Sequence, residues 1–162
     1  MHVVQVLPEL NVGGVERGTL QIAAALVAAG HRSTVISAGG ALVGELTGGG
    51  TRHVEMPVHA KSLSVLSQIA PLRNTLSALR PDVVHVRSRL PAWLVRFAMK
   101  RLPVDARPHL VTTVHGLYGV HPYSAIMTRG DRVIAISRAV LDYITANYPR
   151  VDVDVIRLVH RG

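Results

Sequence analysis

Two hydrophobic rhythms alternate along this chain. Short runs rich in Val and Ile read as buried strands, and longer stretches with apolar residues every third or fourth position read as helices. Val3 to Leu7 is the first strand. A glycine turn, Val12-Gly13-Gly14-Val15-Glu16-Arg17, leads into a helix ending near Ala29, with Thr19, Ile22, Ala23 and Leu26 on one face and Gly30 as its stop. Thr34 to Ser37 is a second strand, closed by Gly39-Gly40. A short helix over Leu42 to Leu46 precedes a third strand over His53 to Met56. Leu63 to Leu79 reads as helix, with Pro71 forcing a kink or a restart.

Val83 to Val86 is the fourth strand. Pro91 suits the first turn of a helix running to about Arg101. Leu110 to Val114 and Arg132 to Ile136 are the fifth and sixth strands. Ser137 is a natural N-cap for a helix reaching Ala146, and Val153 to Ile156 reads as a seventh, edge strand. Strands that alternate with helices and are themselves continuously apolar imply a mostly parallel sheet covered on both faces. The fold class is therefore α/β, a Rossmann-like doubly wound domain of about seven strands, occupying residues 1–162 without repeat or linker.

In such sheets ligands bind beyond the carboxyl ends of the strands. Gly13 and Gly14 fall there after the first strand, Arg87-Ser88-Arg89 after the fourth, His115-Gly116 after the fifth, and Ser137-Arg138 after the sixth. Paired glycines at a strand-to-helix turn let backbone N–H groups approach a phosphate at the helix's positive end, or simply make a tight turn. The segment from Gly116 to Gly130 is long for an α/β connection. With Tyr118, His121 and Tyr123 it is either a substrate loop or a loop with one short helix packed on the core.

Composition narrows the chemistry. The 162 residues carry a formal charge of +8, compatible with phosphorylated substrates, anionic lipid or nucleic acid. Only 4% are aromatic, and no zinc-finger or RNP pattern occurs, which sets nucleic acid aside. Arg87, Arg89, Arg96, Lys100 and Arg101 crowd around Trp93 and Phe97, either as a helix lying on an anionic membrane or as an ordinary solvated basic face. The absence of cysteine excludes disulfides and Cys-ligated zinc, and the nine histidines show no helical ligand spacing, so no metal site is expected. No G-x-G-x-x-G fingerprint or P-loop is present, no acidic residue ends the second strand to hold a ribose, and no pair of carboxylates marks the rim. Asp152-Val153-Asp154 alternates as a solvent-facing strand edge would, rather than as a metal motif. With no basic n-region at the N-terminus and no membrane-length apolar run, a cytoplasmic location is expected.

Five segments in order, Asn11 to Arg17, Gly30-His31, Pro81 to His85, Val111 to Gly116 and Asp131 to Ser137, resemble the N-terminal domain of GT-B glycosyltransferases of the GT4 group. The run Arg87 to Trp93 is similar to bacterial members acting on lipopolysaccharide core or related surface glycans. The resemblance implies two Rossmann-like domains, of which this chain supplies the acceptor side, and metal-independent transfer that retains anomeric configuration. The donor, a UDP- or GDP-linked sugar, is then a substrate, and no cofactor is implied. Carried over, Gly13 and Gly14 approach the donor diphosphate, with Arg17 either contacting phosphate or decorating the helix. His115 contacts the donor sugar. Arg87, Ser88, Arg89, Tyr118 and Tyr123 face a glycan or glycolipid acceptor, with Ser137 and Arg138 at the same rim. The resemblance places the whole enzyme on or near the inner membrane face and makes this chain inactive alone. The competing reading is a non-catalytic basic module that binds anionic membrane or phosphorylated ligands.

Overall fold

The structure, a computed structural model, describes residues 1–59 and 63–160. Seven strands form one sheet in the order β3-β2-β1-β4-β5-β6-β7, every neighbouring pair parallel. The strands are β1 (His2–Val6), β2 (Arg32–Ser37), β3 (Arg52–Glu55), β4 (Val83–Val86), β5 (His109–Val114), β6 (Arg132–Ala135) and β7 (Ile156–Leu158). The helices between them are α1 (Gly14–Ala28), α2 (Val43–Gly48), α3 (Ile69–Leu79), α4 (Arg89–Lys100) and α5 (Arg138–Asn147).

Helices cover both faces, and strand alternation decides which residue meets which helix. Val35 packs with Leu20 and Ala23 of α1 and Leu42 and Leu46 beside α2. Its neighbour Ile36 points the other way, into a larger cluster with Leu72 and Leu76 of α3 and Leu94, Val95 and Ala98 of α4. β1 is buried along its whole length, whereas the edge strand β3 is exposed at both ends. Two aspartates clamp the amino ends of the strands. Asp82 accepts the His2 N–H at 2.6 Å, and Asp131 accepts the Leu110 N–H at 2.7 Å. The His2 bond holds the Asp82 carboxyl below its usual range.

Three local expectations are refined. Pro71 restarts rather than kinks the helix: a 3-10 segment, Leu63–Gln68, gives way to α3, and Pro71 occupies its first turn, where no N–H is needed. The last strand begins later than its alternation suggested. Val153–Val155 is a 3-10 turn in which the Asp152 side chain accepts the Asp154 N–H at 2.9 Å, and the strand follows at Ile156. Asp152 and Asp154 therefore belong to a turn and not to a strand edge. Gly30, at φ +75°, stops α1 in the left-handed conformation expected of it. Among the described residues no helix is long and apolar enough to cross a membrane.

Candidate functional site

The strand order reverses between β1 and β4, so the loops leaving those two strands diverge to opposite faces and open a crevice. The β1 loop is braced from β2. Leu10 N–H donates to the Gly39 carbonyl at 2.8 Å, Ala38 N–H to Pro8 O at 2.9 Å, and Leu42 N–H to Leu10 O at 2.9 Å. This close approach requires glycine at position 40, where φ is +141° and a Cβ would strike the backbone of Leu10. The loop ends at Gly13, the N-cap of α1, in extended conformation. The Glu16 carboxylate folds back against Gly13, into the space a Cβ there would take. Arg17 reaches sideways to Glu45 at 2.8 Å, a solvent-exposed pair linking α1 to α2.

Beneath α1 lies a buried polar layer on the same side of β1, β4 and β5. Arg87 is only 5% exposed. Its guanidinium donates to Thr19 Oγ1 at 2.9 Å and to Val15 O at 3.1 Å, lying against α1 where Gly18 has no side chain. Gln5 donates to the Thr19 carbonyl at 3.1 Å. His85, beside Gln5 in register, meets Thr113 Oγ1 at 2.6 Å. Burial, with the nearby Arg87 charge and His115, pushes the His85 pKa down to about 3, so its imidazole is neutral. The expectation that Arg87 faces an acceptor is thus corrected: its side chain points under the first turns of α1, as strand parity with His85 dictates.

Arg89 takes the outward position instead. Its guanidinium sits 4.9 Å from the centre of the Tyr118 ring and 5.4 Å from that of Tyr123, and donates to Ser124 Oγ at 3.2 Å. Trp93 Nε1 donates to the Tyr123 carbonyl at 3.1 Å, so α4 holds the 116–130 segment from two points. The end of that segment is a 3-10 turn, Ser124–Thr128, whose Ile126 and Met127 are buried in the core. Its beginning stays outward, with Leu117, Val120 and Tyr123 exposed. Tyr118 Oη accepts the His115 N–H at 3.2 Å, and the Tyr118 carbonyl accepts Tyr143 Oη at 2.6 Å, tying His115 to α5. Ser137 caps α5 by accepting the Val140 N–H at 3.3 Å, and Arg138 pairs with Asp142 at 3.2 Å on the surface.

A cleft of about 570 Å³ opens at the rim, walled by Glu9, His59, Ser88, Arg89 and Tyr123. Ser88, Arg89 and Tyr123 were expected there. Glu9 and His59 were not. Single carboxylates do stand near the rim: Glu9 lines the cleft, and Glu16, which does not line it, stands at the start of α1. Glu9 accepts Asn11 Nδ2 at 2.7 Å and lies 3.9 Å from His59 Nε2. Its place directly after β1 was the signal available for it. His59 follows β3, and only the strand order brings it across. Among the described residues no cluster of three or more His, Asp or Glu side chains is placed to hold a metal ion.

The family model described as Glycosyltransferase Family 4 matches residues 12–162. The chain belongs to this family. It is similar to a glycosyltransferase from Rickettsia africae ESF-5, at 35% identity and a TM-score of 0.83, covering 99% of this chain and 43% of that one. It shares its fold with Anabaena Alr3699/HepE in complex with UDP-glucose (18% identity, TM-score 0.76, 100% of this chain and 44% of that one). It also shares its fold with the lipopolysaccharide outer core galactosyltransferase WaaB (13% identity, TM-score 0.72, 100% and 46%). The chain thus spans less than half the length of each of these structures. No curated protein matches it at a significant level. Within the family, the cleft described above lies where doubly wound domains hold their ligands.

Proposed function

We propose that this Family 4 domain is the acceptor half of an enzyme that transfers a sugar from a nucleotide-sugar donor to a glycan or glycolipid, retaining anomeric configuration and without metal. The reading is carried by the cleft at the strand-order reversal, whose walls offer the groups a sugar needs. The Glu9 carboxylate accepts hydroxyl hydrogens, Arg89 and Ser88 donate, and the exposed Tyr123 ring covers an apolar sugar face. The Gly13 and Gly14 N–H groups at the positive end of α1 approach the donor diphosphate, and Glu16 turns aside to admit it. Arg87 acts from beneath, holding the first turns of α1 and adding positive charge behind them. His115 orients the donor sugar. HepE with UDP-glucose and the galactosyltransferase WaaB support a UDP-linked hexose donor and a cell-surface glycan acceptor. The chain works in this reading at the cytoplasmic face of the membrane, where a glycolipid presents its headgroup.

In this reading residues 1–162 alone contact the donor from one side only, so positioning and charge stabilisation are incomplete and turnover is negligible. The test is an amide NMR titration of the chain with lipopolysaccharide core oligosaccharide, beside a transfer assay with UDP-glucose. Shifts at Glu9, Ser88 to Leu90 and Tyr123, weakened about tenfold by Glu9→Gln, with no transfer, support the reading. Sugar transfer by 1–162, or oligosaccharide shifts confined to another face, overturns it.

A further inference from the structure

At the opposite, amino end of the sheet, away from the cleft, is a hollow of about 370 Å³. Its charged lining consists of Arg96, Lys100, Arg107, His109, Arg129 and Asp131, brought together from α4, the start of β5 and the turn before β6. The C-terminus of α4 and the strand ends account for part of this charge. Of the lining cations, Arg107 donates to the Leu102 and Lys100 carbonyls, each at 3.1 Å, while Arg101, just outside the hollow, donates to the Phe97 carbonyl at 2.9 Å. These two cations answer the negative end of α4. Asp131 is committed to the Leu110 N–H and lies 3.8 Å from His109 Nδ1.

Three cations remain. Arg96 and Lys100 stand four residues apart on one face of α4, and Arg129 comes in from the end of the 3-10 turn. Among the described residues none of the three forms an ion pair, and Arg96 is half-buried. Like charges gathered around one hollow repel one another, and a bound anion reverses the sign of that interaction. An adjoining hollow of about 710 Å³ shares Arg107 and His109 but carries two carboxylates, Asp82 and Asp105, where this one has Asp131 alone.

We propose that Arg96, Lys100 and Arg129 form a second anion site, binding the phosphate groups of a phosphorylated ligand, separate from the sugar-transfer cleft. Guanidinium forks suit the paired oxygens of a phosphate, and the ammonium of Lys100 adds a point charge. The hollow is large enough for a diphosphate with a small group attached. The site stands on these side chains alone and does not depend on the glycosyltransferase reading.

The experiment is titration of the isotope-labelled chain with inorganic pyrophosphate, followed by amide NMR. Saturable shifts are expected at Arg96 to Lys100, His109-Leu110 and Arg129 to Asp131. Combining Arg96→Gln, Lys100→Gln and Arg129→Gln is expected to weaken that binding at least about tenfold, with an unchanged melting temperature. Arg96→Lys, which keeps the charge, is expected to recover part of the affinity. Mixed vesicles of phosphatidylcholine and phosphatidylglycerol are then added as competitor. Displacement of pyrophosphate assigns the phosphate to a lipid headgroup, and lack of displacement assigns it to a free ligand. Linear, non-saturating shifts, shifts confined to Gly13 to Arg17, or a triple variant that binds as tightly as the parent overturn the proposal.

Discussion

Acid weakens this fold through one buried histidine, and the effect is large enough to isolate. His85 has a pKa of about 3 in the folded chain against 6.5 when unfolded, because burial and the Arg87 charge disfavour imidazolium. Between those values the unfolded chain binds a proton that the folded one refuses. Stability contributed by this group is therefore complete above pH 6.5 and falls as the pH drops toward 3. Each pH unit in that window is worth about 1.4 kcal/mol. From pH 6.5 to about pH 4, this one side chain removes roughly 3 kcal/mol, from a domain whose total is on the order of 5–15 kcal/mol. His2 and His53 are also held below their ordinary pKa by burial and act in the same direction. The comparison must therefore be between the parent and His85→Gln. Gln keeps a hydrogen-bonding partner for Thr113 and cannot titrate. Urea unfolding at steps between pH 7 and pH 4 reads the result. The parent is expected to lose stability more steeply than the variant by about 1 kcal/mol per pH unit, whatever the variant's stability at neutral pH. Parallel pH profiles for the two proteins would refute the buried, neutral imidazole.

Other substitutions test the framework of the site. Gly40→Ala forces a side chain into a φ of +141° and against the Leu10 backbone; it is expected to cost about 2 kcal/mol or more and to lower the melting temperature by several degrees in a thermal scan. Ser137→Ala removes the N-cap bond of α5 and is expected to cost about 1 kcal/mol in chemical unfolding. Arg17→Ala or Glu45→Ala breaks an exposed pair, so stability is expected to stay within about 0.5 kcal/mol, and a larger loss would show the α1–α2 contact to be more than a surface ion pair.

The sheet was legible because its strands announce themselves locally. Val83 to Val86 is an apolar run bounded by Pro81-Asp82 and by charge, and it forms β4 with those ends. Ser137 was legible as an N-cap for the same reason, since a cap depends on neighbours three residues away. The alternation of Asp152 to Val155 misled because a short polar side chain can bond its own backbone two residues on and close a turn instead. The destination of Arg87 was hidden by distance. Its partners Val15 and Thr19 lie about seventy residues earlier, and Gly18 makes room for it only once β4 has been placed beside β1. The wall formed by His59 likewise exists only through the strand order. Local pattern thus named the strand ends that border the candidate cleft, while the side chains that face one another there were decided by topology.

The reversal of strand order also sets a timetable for the molecule. β1 pairs on one side with β2, Val3 opposite Ser33, and on the other with β4, Val3 opposite Val83. On the ribosome, about eighty residues separate the emergence of these partners, several seconds at typical synthesis rates of about 5–20 residues per second. Throughout that interval a strand that ends up buried along its whole length presents an open edge, and Gln5 has no His85 beside it. The β1, α1 and β2 unit can form early from local contacts, but the cleft lacks Ser88 and Arg89 until β4 docks, and Tyr123 until the segment after β5 has followed. A nascent chain arrested before Val86 therefore exposes an adhesive edge and has no site, which makes this stretch of translation the one in which a chaperone has most to protect.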